Sequence, residues 1–124
     1  MSLIGPALAA GCRIVAVPSE PHPLSATDFY QVLETSDVPA GVVNIVTGRQ
    51  ADLLPSLSAH DQVDAMWFFG DSTGCRLVER NAAATIKRTW VDHGRARDWL
   101  DREQGQEFML HATEIKNIWV PYGE

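Results

Sequence analysis

Val42-Val43-Asn44-Ile45-Val46-Thr47-Gly48 is the stretch that decides the fold. A β-branched run of strand length, closed by glycine, says little when it occurs once, because a short apolar run fits a strand or a buried helix segment. Here it recurs. Arg13-Ile14-Val15-Ala16-Val17 precedes it, bounded by Gly11 and Pro18, while Val63–Phe69 ending at Gly70 and Ile86–Val91 follow. The intervals have helical spacing. Pro21-His22-Pro23 is a loop, Ser25 with Asp28 reads as a capping box, and Ala26, Phe29, Val32 and Leu33 follow on one helical face. That helix should stop near Asp37, because Pro39 disfavours helical geometry before it and Gly41 loosens the backbone. Leu53, Leu54 and Leu57 mark a second helix and Arg76–Ala84 a third. The order is βαβαβαβ. Strands joined by helical crossovers run parallel, and continuous apolar strands are covered on both faces, which predicts an open α/β half-sheet.

The chain of 124 residues has the length of one domain, and 45% apolar with 21% charged residues gives it the balance of a globular protein with a real core. Folding at this size hides roughly two thirds of the extended chain's surface, so stability requires neither disulfides nor a metal. Ten Lys+Arg against 16 Asp+Glu, a formal charge of -6, argues against nucleic acid and anionic membranes as partners. No apolar run suits a transmembrane span or a signal peptide. Cys12 and Cys75 stand far apart outside any CxxC, as reduced thiols do. The expected setting is cytoplasmic.

Beyond Asp92 the character changes. Arg95–Glu107 is charge-rich, and Glu114-Ile115-Lys116-Asn117-Ile118-Trp119-Val120 alternates polar with apolar residues. Such alternation describes a one-sided or edge strand, whose unpaired backbone groups call for a partner. The expected division is therefore 4–92 for the α/β half, 93–111 for a polar connection, and 112–124 for a C-terminal arm.

Several segments, taken in order, resemble the aldehyde dehydrogenase superfamily: Ile4-Gly5-Pro6-Ala7-Leu8-Ala9-Ala10-Gly11, Val17–Ala26, Val38–Gly48, and His60–Asp64 leading to Phe68-Phe69-Gly70. They cover residues 4 to about 80. The ending, Ala112–Glu124, looks like that family's C-terminal oligomerisation arm. The catalytic block with its cysteine nucleophile, and the Glu-Leu-Gly-Gly segment with its general base, have no counterpart between them. The chain is most similar to the truncated C-terminal aldehyde-dehydrogenase-like module of the sixteen-type members. The resemblance implies a Rossmann-like half-sheet plus an oligomerisation strand, Ile115–Val120, pairing with a homodimer partner or another module of the family.

The resemblance also identifies the residues that would meet NAD(P). In the family's Lys-Pro-Ser-Glu motif, lysine and glutamate reach the adenosine ribose; the chain reads Val17-Pro18-Ser19-Glu20, retaining Glu20 while Val17 has no donor. A lost hydrogen bond to a buried partner costs about 1–3 kcal/mol. The family's Phe-Thr-Gly-Ser-Thr motif, whose serine meets the pyrophosphate at a helix N-terminus, aligns with Phe68-Phe69-Gly70-Asp71-Ser72. Asp71 replaces the serine. Like charges at about 4 Å and an effective dielectric of about 20 repel by about 4 kcal/mol, more than one hydrogen bond returns. A following family glycine aligns with Cys75, whose Cβ narrows the approach. A second alignment uses Gly70 and Gly74 as the phosphate pair with Ser72 or Thr73 as donor, and it stays open. Cofactor-binding candidates are thus Glu20, Gly70 and Ser72, with Val17, Asp71 and Cys75 departing from the family.

No catalytic residue is assigned. Cys75 could be activated at a helix N-terminus, but no motif places a base or an oxyanion donor for it, which favours a structural thiol. Cys12 reads likewise. His22, His60, His93 and His111 lack metal-ligand spacing. Trp67, Trp90 and Trp119 fall in apolar runs and suit packing or an interface, while Trp99 is placed to anchor the charged connection onto the sheet. Asp92, Asp98, Asp101, Glu103 and Glu107, interleaved with Arg95, Arg97 and Arg102, read as a solvated face. The leading expectation is a non-catalytic module for assembly within a larger protein. The alternatives are an NAD(P)-binding regulatory domain, or part of an active NAD-dependent aldehyde dehydrogenase whose catalytic residues lie elsewhere.

Overall fold

The computed structural model describes residues 2–100 and 105–123. Its elements are α1 (Ile4–Ala9), β1 (Ile14–Ala16), α2 (Leu24–Thr35), β2 (Val43–Ile45), α3 (Gln50–Ala59), β3 (Ala65–Phe68), α4 (Ser72–Ala83), β4 (Arg88–Val91) and α5 (Gly105–Ala112). The βα alternation stands, with strands shorter than the apolar runs that carry them. Among the described residues the strands pair as two parallel ladders, β1 with β2 and β3 with β4, in registers such as Ile14↔Val43 and Trp67↔Trp90. The fold is mixed α/β, a Rossmann-like half-sheet split into two short pairs.

The core gathers around α4. Cys75, Val78 and Ala82 recur at helical spacing and are buried, so one stripe faces β3, β4 and α3. α3 contributes Leu54 and Ser58 to the same layer. The Ser58 hydroxyl accepts a hydrogen bond from Asn81 at 2.8 Å, tying the two helices together. Lys87, nearly buried just before β4, donates from Nζ to the carbonyls of Ser58 at 2.8 Å and His60 at 2.9 Å. Those carbonyls lie at the end of α3, where helical partners run out and a cation is favoured.

Local chemistry departs from the sequence reading at several points. Ser25 does not cap α2: its hydroxyl donates to the His22 carbonyl at 3.4 Å, and the helix starts at Leu24 behind Pro23, whose fixed φ suits the turn. α4 begins four residues earlier than the apolar pattern implies, because Asp71 caps it. α1 lay inside a segment matched by resemblance alone. It is a six-residue apolar helix without a side-chain cap, held by packing against α5.

The stretch 93–111, read as a polar connection, contains most of α5. Phe108 and Ala112 are its buried residues, four apart, and half-buried Glu107 and His111 flank them, so one stripe of the helix docks. Arg97 is not part of a solvated face. Its side chain is 15% exposed and joins Glu107 through two nitrogens, at 2.7 and 3.4 Å. Its guanidinium lies 5.0 Å from the Trp90 ring and 5.5–6.0 Å from those of Phe69, Phe108 and Trp99. Trp99 packs edge-on to Phe69 at 5.2 Å, anchoring the connection as expected. Asp101, Arg102 and Glu103 lie outside the described residues.

Residues 113–123 form neither helix nor strand in the single chain. Ile115, Ile118 and Trp119 stand in water there, Trp119 at 91% exposure. Among the described residues, no helix is long and apolar enough to cross a membrane, and no group of three His, Cys, Asp or Glu side chains is placed to hold a metal.

Candidate functional site

An open cleft of about 860 Å³ lies between α3 and α4, at the ends of β1 and β3. Leu54, Pro55 and Leu77 give it apolar walls, while Glu20, Asp71 and Arg80 stand among its polar lining. The carboxyl end of parallel strands, beside helix N-termini, is where α/β sheets bind ligands.

Asp71 dominates the wall at the start of α4. Its Oδ1 accepts from the Gly74 amide at 2.8 Å, so the carboxylate satisfies one of the helix's free N–H groups. A phosphate at this terminus would compete with an internal carboxylate for that donor and feel its charge. Glu20 is engaged in the same manner across the cleft. Its Oε2 accepts from the Gln50 amide at 3.0 Å, which caps α3 from another segment. Arg49, the residue at the cap position of α3, supplies no cap because a guanidinium only donates; its side chain pairs instead with Asp52 at 2.8 Å.

Ser72 lines the first turn of α4 but donates its hydroxyl to the His93 carbonyl at 3.1 Å. Cys75 is fully buried, its sulfur directed at the Gly70 carbonyl at 3.8 Å and so turned from the cleft. Gly70 and Gly74 press on Phe68: a Cβ would come within 2.4 Å of the ring at Gly70 and 2.6 Å at Gly74. These glycines make room for an aromatic ring. Thr73 lines the cleft, whereas Val17 stands just past β1, partly exposed. Cleft residues that sequence reasoning missed are Arg76 and Arg80, one turn apart on α4. Their spacing at i and i+4 was visible, but nothing in the motifs distinguished it from an ordinary solvated helix face.

The sequence model described as the aldehyde dehydrogenase family matches residues 1–118. An NADP/NAD-dependent aldehyde dehydrogenase, PuuC, of Escherichia coli (strain K12) is 38% identical over 92 residues, which are 73% of this chain and 19% of that protein. The chloroplastic betaine aldehyde dehydrogenase of Beta vulgaris is 40% identical over 91 residues, 73% of this chain and 18% of the relative. An aldehyde dehydrogenase of Agaricus bisporus matches at 37% over 88% of this chain and 23% of its own length. Among solved structures, an aldehyde dehydrogenase from Bartonella henselae superposes with a TM-score of 0.69 at 37% identity, over 73% of this chain and 19% of that one. A mutant aldehyde dehydrogenase C from Pseudomonas syringae, complexed with NAD+ and octanal, gives 0.70 at 36% identity over the same shares. The chain spans about a fifth of the length of the curated relatives it matches.

Proposed function

The chain belongs to the aldehyde dehydrogenase family, and from that premise we propose that it is a non-catalytic module used for assembly within a larger protein of the family. The observation that carries the reading is the C-terminal segment, where Ile115, Ile118, Trp119 and Val120 expose apolar surface within six residues. Contiguous apolar exposure of this kind favours burial against a partner, at roughly 25 cal/mol for each Å² covered. The alternating pattern Glu114–Val120 suits a strand that completes a partner's sheet edge, in a second copy or another module of the family. The free thiols of Cys12 and Cys75 support a reducing, cytoplasmic setting.

The cleft supports the same reading. NAD(P), the cofactor named for relatives, carries a pyrophosphate dianion, and the residues here do not fit it: Asp71 holds the Gly74 amide, Glu20 the Gln50 amide, and Ser72 is spent on His93. A second reading, a regulatory domain that binds NAD(P) without chemistry, is favoured by Thr73, Arg76 and Arg80 on the cleft wall. A third makes the chain part of an active dehydrogenase whose nucleophile and base lie in another segment, as the aldehyde and cofactor in the names of relatives suggest.

Light scattering of the chain beside an Ile118→Asp/Trp119→Asp double variant tests assembly. The expected result is an oligomer that the double variant converts to monomer; monomers in both would sink the assembly reading. Calorimetric titration with NAD and NADP addresses the cleft, where no heat at millimolar cofactor is expected and saturable heat would favour the second reading.

A further inference from the structure

The last turn of α5 holds His111 face to face with the Trp90 indole, centroids 3.8 Å apart and planes 9° from parallel. Charged groups face this ring from each neighbouring element that has any. Arg88 of β4 donates Nη1 to the Thr113 carbonyl at 2.6 Å, just past the helix. Arg97, from the connection, lies over the same indole at 5.0 Å. Glu107 stands one turn back on α5, but both its oxygens are taken by Arg97. α1 presents no ionisable side chain; beyond it Cys12 directs its thiol at the Ala112 carbonyl at 3.6 Å. An adjoining cavity of about 330 Å³, bordered by Trp67, Arg88, Trp90 and His111, gives water a route to the imidazole.

A charged imidazolium here would gain attraction from the indole face and from Glu107. It would also lose hydration and meet two guanidinium charges. Burial is the largest influence and lowers the His111 pKa; Glu107 opposes it, and Arg97 and Arg88 add to the lowering. The neutral ring is thus the form that fits.

We propose that His111 is an acid-sensitive latch: its neutral ring holds α5 on β4, and its protonation releases α5 together with the C-terminal segment 113–123 that it leads into. The docked state favours the neutral ring, so the released state binds more protons. Docking is therefore full above the ordinary imidazole range and weakens as pH falls from that range to the lower value of the docked ring. The latch is independent of the assembly reading, since it concerns docking within one chain.

Hydrogen exchange of the full chain at about pH 7.5 and about pH 5, corrected for intrinsic rates, tests it across the ordinary imidazole range. Peptides from α5 should lose protection several-fold at the lower pH while β1 and β2 keep theirs. His111→Phe, which can stack but not titrate, should abolish that difference. Equal acid loss in wild type and H111F, or none in wild type, would overturn the latch. Should H111F fail to fold, the amide resonances of Ala112 and Thr113 decide: a midpoint shared with the His111 ring supports the proposal, and a carboxylate midpoint rejects it in favour of Glu107.

Discussion

The Asp71 carboxylate accepts the Gly74 amide at 2.8 Å, so α4 begins under the protein's own negative charge. Asp71→Ala removes that cap and is expected to cost about 0.5–2 kcal/mol, read as a lower denaturant midpoint. Asp71→Ser keeps a capping oxygen without the charge. It should hold stability and bind NAD more tightly than wild type by calorimetry. Loss of stability in Asp71→Ser equal to that in Asp71→Ala would show that the cap does not act through its oxygen.

Gly74 sits in the first turn of α4, where alanine would ordinarily stabilise by up to about 1 kcal/mol. A Cβ there would lie 2.6 Å from the Phe68 ring and 3.0 Å from the Asp71 carboxylate. Overpacking of this kind costs about 1–3 kcal/mol and should outweigh helix propensity. Gly74→Ala is expected to lower the urea midpoint, and Phe68→Leu in the same chain to recover part of the loss. A stabilised Gly74→Ala would contradict the close packing of ring and helix.

Ile86 has φ of 54° and is 94% exposed. The left-handed region costs an L-residue about 1–2 kcal/mol, more for a β-branched one, and so exposed a side chain returns little packing. Ile86→Gly should raise stability by about 0.5–1 kcal/mol after glycine's own entropic cost. Thermal unfolding at matched concentration checks the sign.

Glu107 titrates below the ordinary carboxylate range, chiefly because Arg97 donates to it, with burial opposing. Its folded pKa is depressed, so its contribution is present above the ordinary range and is lost as pH falls through the lower folded value. Arg97→Gln is expected to move the Glu107 titration upward, followed by its carboxyl carbon resonance. An unmoved midpoint would mean that the ion pair does not form in solution.

The repeating βα units were legible in the sequence because apolar runs such as Val42–Thr47 and their closing glycines carry local information. Asp71 stood out in the sequence only through the resemblance, as a charge opposed to a cofactor phosphate. Its structural duty as the cap of α4 was missed, because the apolar pattern placed the helix start at Arg76, past the cap. Arg97 and α5 were obscured by composition: charged side chains read as solvated, while a guanidinium among four aromatic rings is a product of tertiary packing. Glu20 illustrates the same limit, since its partner Gln50 lies thirty residues on.

The chain has two lysines. Lys87 spends its ammonium on two carbonyls inside the fold, whereas Lys116 projects from the C-terminal segment with 73% of its side chain exposed, 3.6 Å from Glu114. Acylating reagents, aldehydes and lysine-modifying enzymes therefore find the side-chain amine of Lys116 and are kept from that of Lys87. Any mark written on a lysine of the folded chain is addressed to the segment that carries Ile115–Val120, where neutralising one charge would alter the surface offered to a partner.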